Sequence, residues 1–263
     1  MSAWLVFPLL GVAAGLLAGL LGVGGGLVLV VALVWLLPAH GVPADQAMHV
    51  ALATSLASIV VTGLSSSWSH HRRGSVRWRC VAWLVPGMLL GGLAGSALAT
   101  ALDGALLRWL VAGYCLLAAA QLTWGQPRPR TEASGDPRGW PLAAAGTGIG
   151  GVSAVVGIGG GSMTVPLLVW LGVAPVRAVG TSAACGIFIG LASATGYAAL
   201  GPAQGLPPGS LGYVYLPAAA GIAAASVLVA PLGTRLAHAI SGPALKRVFA
   251  AFLVLVGLSL LMA

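Results

Sequence analysis

The chain has 263 residues, of which 59% are hydrophobic and 6% carry a charge, with a formal net charge of +8. A soluble domain of this length needs many more polar groups at its surface, so the composition excludes a soluble globular protein and indicates one integral to the lipid bilayer. The positive charge does not indicate a nucleic acid partner, because the basic residues lie in short loops between apolar segments, as on the cytoplasmic side of membrane proteins.

Eight apolar segments follow one another along the chain. Several reach the roughly 20 residues that a helix needs to cross the hydrocarbon core, and none shows the alternating pattern of an outer-membrane barrel. The segments cover residues 3–37, 46–66, 80–101, 105–124, 140–171, 176–200, 211–230 and 244–262. We therefore predict an all-α polytopic membrane protein.

The first and fifth segments are each interrupted by glycines, as LLGVGGGLVLV and VVGIGGGSMTV. Subtracting 135 from the residue numbers of the second run aligns Gly157, Gly159, Gly160 and Gly161 with Gly22, Gly24, Gly25 and Gly26. Further along, the triplet ATS at 53–55 is answered by GTS at 180–182. The hydrophilic stretch 125–139 is the predicted cytoplasmic linker between a first repeat, residues 1–124, and a second, residues 140–263.

The basic residues discriminate between two topologies. If each glycine-broken segment crosses the membrane once, Arg177, Arg235, Lys246 and Arg247 fall outside together with Arg108. If each segment returns to the side it entered, every Lys and Arg except Arg108 lies inside, which the positive-inside rule favours. Each repeat is then a glycine-broken helical hairpin plus three transmembrane helices, and the two repeats have inverted topology. Two arms of about 15 residues would each reach roughly 23 Å, so full-length and re-entrant hairpins both stay open.

The glycine runs predict a substrate site. Glycine-interrupted segments at matching positions of inverted halves are typical of the substrate sites of transporters, where bare backbone lines a cavity. The second arm of each hairpin begins at the last glycines, and its first N–H groups and dipole favour an anion. We predict a small-anion site near the midplane, formed by both hairpin tips. The glycine ladders Gly11, Gly15, Gly19 and Gly87, Gly91, Gly95 instead predict close helix packing.

Several polar residues are candidates for the same site. Thr54, Ser55, Thr181 and Ser182 stand beside the hairpins and are predicted to line it, with hydrogen bonds within their own helices or to a neighbouring helix as the alternative. Ser162 follows the second glycine run and is predicted to cap that arm or contact the ligand. His49 is a candidate for handling a proton, with interfacial packing as the alternative. His70 and His71 are expected to be solvated in a basic loop. Cys80, Cys115 and Cys185 have no paired spacing and predict neither a disulfide nor a metal site.

The two G-x-G-G-G runs with their apolar arms, Pro166 in the second arm, the later T-S pairs and the inverted half-repeats resemble the sulfite exporter TauE/SafE family of bacterial membrane transporters, also called the 4-toluene sulfonate uptake permease family. The resemblance covers nearly the whole chain, although Val31 stands where the second copy has Pro166. It implies a multi-pass protein of the bacterial inner membrane that moves sulfite, a sulfonate or a related sulfur-containing or organic anion, in either direction.

The acidic residues bear on the mechanism. Asp45, Asp103, Glu132 and Asp136 all lie outside the middle of a predicted span, so the carboxylate that commonly carries a coupling proton is missing. This favours a secondary carrier driven by the membrane potential, with H⁺ or Na⁺ coupling open. An anion channel shares these features, whereas a membrane-embedded enzyme would need converging catalytic groups that the spans do not offer. The expected partners are the lipid bilayer and a small anion, without a cofactor; a homodimer is open.

Overall fold

The computed structural model describes residues 5–21, 25–124, 136–239 and 242–262. Gly22, Gly24 and residues 125–135 of the predicted linker lie outside the described residues. Ten helices account for most of the described chain: α1 Val6–Leu21, α2 Gly26–Leu36, α3 Ala47–His71, α4 Trp78–Ala101, α5 Gly104–Trp124, α6 Trp140–Val156, α7 Gly161–Trp170, α8 Pro175–Leu200, α9 Leu216–Ala239 and α10 Gly242–Met262. Five stretches of the described helices are long and apolar enough to cross a bilayer, which confirms the all-α polytopic fold class.

A short β-hairpin precedes α9. Strands β1 Ser210–Leu211 and β2 Val214–Tyr215 pair in antiparallel register around the turn at Gly212, whose φ is 50°. The predicted start of this span at residue 211 is therefore wrong, because glycines with positive φ at Gly209 and Gly212 favour a turn over a helix. The helix begins at Leu216 and continues past residue 230 to Ala239.

The glycine runs turn each hairpin back toward the end of the bundle where it began. The carbonyls of Ala18 and Gly19, late in α1, meet the C-terminal part of α3, whereas Gly26 at the start of α2 meets Ser55 near its middle. The first arms, α1 and α6, have 16 and 17 residues, but the second arms, α2 and α7, have 11 and 10. The expected equal arms are therefore wrong: each second arm is roughly 16 Å long and begins inside the bundle, as in a re-entrant hairpin.

The first arms pack in parallel against helices of the other half. Along α1 and α9, Gly11 meets Ile222 and Gly19 meets Ala230. A Cβ atom on Gly91 of α4 would overlap the carbonyl oxygen of Thr147 on α6. Both glycine ladders therefore serve close helix packing, which confirms that part of the sequence analysis.

α3 and α8 cross antiparallel at the centre. Gly63 lies against Ile187, and Gly190 lies against the carbonyl oxygen of Leu56. Exchanging the two halves maps the α1–α9 pair onto α6–α4 and the α3–α9 pair onto α8–α4, all of which are in contact. An antiparallel crossing of two corresponding helices is what an inverted repeat requires. The inverted orientation of the halves in a bilayer stays a prediction.

Basic residues gather at one end of the bundle, here called the basic end. The backbone N–H of Arg77, just before α4, donates to Thr181 near the start of α8, and the Arg77 guanidinium pairs with Asp136 at 3.2 Å. The basic end carries Arg72, Arg73, Arg77, Arg79, Arg138, Arg177 and Arg235. Asp45, Asp103 and Arg108 lie at the opposite end. The cytoplasmic location of the basic end stays a prediction.

α3 is longer than the sequence analysis predicts. It continues past residue 66 to His71, so His70 lies in the helix and is fully buried. Nε2 of His70 donates to the carbonyl oxygen of Gly19 at 3.1 Å. The expectation that His70 is solvated is wrong, because the close approach of α1 covers this turn of α3, whereas His71 is exposed.

Candidate functional site

The bends of the two hairpins touch at the centre of the molecule. A Cβ atom on Gly26, the first residue of α2, would lie 2.5 Å from the carbonyl oxygen of Gly157 and 3.0 Å from the Cα of Ile158. Because no side chain fits between these backbones, glycine at position 26 is what lets the hairpins meet. The structure thus brings Gly26 and Gly157, predicted from separate repeats, into one place.

Ser55 on α3 ties the two bends together. Its Oγ lies 3.2 Å from the carbonyl oxygen of Gly26 and 2.9 Å from that of Gly157, so its single proton is shared between the hairpins. Ser182, at the corresponding position of α8, is also fully buried. Ser55 therefore lies at the contact between the two bends.

Each second arm begins at a glycine that is left-handed and provides no side-chain cap. Gly25 has a φ of 67° before α2, and Gly160 has a φ of 73° before α7. The first N–H groups of a helix have no partner within it, and the macrodipole places partial positive charge there. The start of α2 faces the second hairpin, so positive backbone dipole is present at the contact between the halves.

The two predicted threonines bond to backbone. Thr54 Oγ1 accepts from the N–H of Tyr215 at 3.0 Å, and Thr181 Oγ1 accepts from the N–H of Arg77 at 3.0 Å. These acceptors hold the chain immediately before α9 and α4, which correspond in the two halves. Thr181 Oγ1 also donates to the carbonyl oxygen of Arg177 in its own helix at 2.7 Å, as the alternative for these hydroxyls expects.

Ser162 lies away from the contact between the bends. Its hydroxyl is hydrogen-bonded to the Tyr114 hydroxyl on α5, and its side chain is half-buried. The structure thus places Ser162 on the α5 side of α7, apart from Ser55 and Gly26.

A small cleft lies beside the second glycine run, on the side nearer the basic end. It is lined by Ala18, Ile59, Gly63, Ser66, Gly159, Ala183 and Gly186. Both halves contribute to this lining, and most of it is apolar or bare backbone. Gly159 is thus the predicted site residue that lines the cleft, while Gly161 is buried at the start of α7.

His49 lies toward the opposite end of the bundle. Its Nε2 donates to the carbonyl oxygens of Ala99 and Leu102 at 3.2 and 3.0 Å, and its ring stacks on Tyr213. Burial, helped by the negative charge of Asp45, raises the pKa of Tyr213, so that ring stays neutral. These contacts fix the end of α4 against α3.

Across the described residues, no three His, Cys, Asp or Glu side chains are grouped to hold a metal ion.

Sequence reasoning missed two residues near the hairpins. Ser153 is fully buried on α6 beside Gly160, and Tyr197 donates to the carbonyl oxygen of Ala154 at 3.1 Å. The offset of 135 residues would have found Ser153, because it pairs this serine with Ala18 and so marks a polar residue that only one repeat carries.

The chain is similar to a known family of membrane proteins. The family model described as "Sulfite exporter TauE/SafE" matches residues 7–260. A probable membrane transporter protein of Haemophilus influenzae is 36% identical over 255 residues, which cover 96% of both chains. A probable membrane transporter protein of Methanocaldococcus jannaschii is 23% identical, with 98% of this chain and 96% of the relative covered. No solved structure matches this chain.

Proposed function

Because this chain belongs to the TauE/SafE sulfite exporter family of membrane transporters, we propose that it is a secondary carrier for a small anion. The proposed substrates are sulfite, a sulfonate or a related sulfur-containing or organic anion, and the proposed site lies where the two glycine bends meet. The family assignment also argues against an enzyme.

One observation carries the proposal: the backbone contact between Gly26 and Gly157, bridged by Ser55. Two re-entrant helices from separate repeats begin inside a membrane protein here. The backbone polar groups at their starts cost free energy at that depth unless they bind a ligand. Packing alone is already achieved by the glycine ladders of α1 and α4.

The electrostatics favour an anion over a cation. The second arms present N-termini and not C-termini at their glycines, and helix N-termini attract negative charge. The sequence has no acidic residue between Asp45 and Asp103 or after Asp136, so no carboxylate is available in those spans to bind a cation. The arginines of the basic end would concentrate anions at the mouth of the cleft.

The proposed orientation places the basic end in the cytoplasm of a bacterial cell, with the protein in the inner membrane. An inside-negative potential contributes roughly 2.3 kcal/mol per charge per 100 mV, which biases a monovalent anion outward about fiftyfold. Export therefore needs no coupling ion. Import against this potential would need one, and Na⁺ or H⁺ would serve.

An anion channel is the alternative. It would use the same N-termini and the same cleft, and it differs only in offering a continuous path. The burial of both Ser66, which lines the cleft, and its counterpart Ser193 supports a carrier, because a channel would offer an open path.

The test is transport by the purified full-length chain in liposomes. Vesicles loaded with sulfite or methanesulfonate are given an imposed K⁺ diffusion potential, and efflux is followed beside protein-free vesicles. We expect saturable efflux that grows with the potential, and accelerated exchange when unlabelled substrate is present on the other side. Non-saturating flux without counterflow would establish a channel, and flux equal to that of protein-free vesicles would refute transport of these anions.

A further inference from the structure

We propose that Ser153 binds the transported anion together with the N-terminus of α7, so that this serine sets the affinity of the carrier. The inference rests on the proposed function and deepens it. It assigns the larger share of anion binding to the second hairpin.

The hydroxyl of Ser153 is a buried donor without a partner. The residue is fully buried, and within the described part of the chain its Oγ makes no hydrogen bond. Its backbone carbonyl is already occupied, accepting from the N–H of Gly157 at 2.9 Å and of Ile158 at 3.0 Å. A buried hydroxyl normally has a partner, since leaving one unpaired costs free energy. A ligand that supplies a hydrogen-bond acceptor would explain why a serine stands at this position.

The hydroxyl faces the start of α7. A Cβ atom on Gly160, the residue before this ten-residue helix, would lie 3.1 Å from Ser153 Oγ. Gly160 has no side chain, so the hydroxyl lies beside the backbone at the first N–H groups of the helix, and Ile149 and Ile189 pack against the same position. One hydroxyl donor and these N–H donors together fit an anion with two or more oxygen acceptors, and hydrogen bonds to a charged acceptor are the strong ones.

The first hairpin lacks this donor. Ala18 stands at the position that corresponds to Ser153, and Leu27 and Leu29 stand where the second hairpin has Ser162 and Thr164. The two halves are therefore alike in backbone but unequal in polar groups. An anion held between them is held mainly by the second.

The test compares Ser153→Ala with Thr147→Ala, which removes an exposed hydroxyl from the same helix. Sulfite, methanesulfonate and chloride are the probes, and the readouts are the ligand-dependent rise in Tm of the purified protein and the KM for flux. We expect Ser153→Ala to weaken sulfite and methanesulfonate binding roughly ten- to a hundredfold, with a smaller effect on chloride. Thr147→Ala should match the native protein.

Two further variants separate binding from folding. Ser153→Thr keeps the hydroxyl and should retain most of the affinity, while adding Ala18→Ser to Ser153→Ala should not restore it. The ligand-free Tm of Ser153→Ala should not fall, because the lost hydroxyl had no protein partner. The inference would be overturned by an unchanged affinity in Ser153→Ala, or by a lower ligand-free Tm with an unchanged ligand response. If the native protein still transports the anion, the proposed carrier function would stand in either case. Native protein with neither flux nor a ligand response would overturn both.

Discussion

His70 and Tyr197 occupy corresponding positions near the C-terminal ends of α3 and α8, and each donates a side-chain hydrogen bond to the first arm of the hairpin in its own half. His70 Nε2 bonds the carbonyl oxygen of Gly19 at 3.1 Å, and the Tyr197 hydroxyl bonds that of Ala154 at 3.1 Å. The offset of 135 residues that aligns the glycine runs also aligns Gly19 with Ala154. The repeat has thus kept the same contact with different side chains, one at each end of the bundle.

Tyr197→Phe should loosen the second hairpin. The change keeps the buried ring but removes the donor to Ala154, leaving a carbonyl unsatisfied, so we expect the free energy of unfolding to fall by about 1 kcal/mol. Thermal unfolding in detergent measures this. Tyr213→Phe, in the loop that contacts the same ring, is the control and should unfold like the native protein. A Tyr197→Phe protein as stable as the native one would show that the bond contributes nothing.

The two ends of the proposed path should differ in access. Ser66 and its counterpart 127 residues later, Ser193, are both buried, but Ser66 lines the cleft near the basic end. In ligand-free protein we expect a membrane-impermeant thiol reagent to label Ser66→Cys at least several times faster than Ser193→Cys. Labelling in inside-out vesicles but not in right-side-out vesicles would place the basic end in the cytoplasm.

The native thiols provide the background for that measurement. Cys80, Cys115 and Cys185 are buried, so the native chain should label slowly. Equally rapid labelling of the two serine positions would contradict a path closed at one end and would favour the channel.

Gly91 and Gly148 should respond oppositely to alanine. A Cβ atom on Gly91 would overlap the Thr147 carbonyl oxygen, which forces α4 and α6 apart and costs about 1–3 kcal/mol or more. Nothing lies within 4 Å of a Cβ atom on Gly148, so Gly148→Ala should leave stability equal or slightly higher. Thermal unfolding of both variants measures the contrast. Comparable losses at the two positions would contradict the close packing of α4 and α6.

The sequence is sufficient to predict the hairpins, because glycine is costly in a helix and two dense glycine runs at matching positions of a repeat indicate a bend in each half. It is also sufficient to predict the packing role of the ladders, since a four-residue spacing places Gly87, Gly91 and Gly95 on one face of a helix. Both features depend on local backbone chemistry. The unequal lengths of the hairpin arms do not depend on local backbone chemistry, because the length of α2 depends on where α3 lies.

Side-chain partners are harder to predict. From the sequence, Thr54 and Thr181 are as good candidates for the site as Ser55 and Ser182. The rotation of α3 and α8 in the bundle decides which hydroxyl contacts the hairpin and which contacts the start of the next helix. The basic neighbours of His70 favour a loop, and the approach of Gly19 and Gly180 buries this side chain. Contacts between distant segments determine both outcomes.

Ser55→Ala is the change that tests the contact between the halves most directly. Ser55 shares its proton between the carbonyls of Gly26 and Gly157, so its loss removes this donor from both, although Gly26 keeps its acceptor bond within α2, and we expect the free energy of unfolding to fall by about 1–2 kcal/mol. Maximal flux should fall several-fold, because the hairpins must be held together for both to contact one anion.

Ser58→Ala is the matched control: its hydroxyl bonds only the Thr54 carbonyl one turn back in the same helix, so its removal should change stability by less than about 0.5 kcal/mol. Flux assays and thermal unfolding of both variants separate the two positions. If Ser55→Ala transported and unfolded like Ser58→Ala, the contact between Gly26 and Gly157 would be held by helix packing alone.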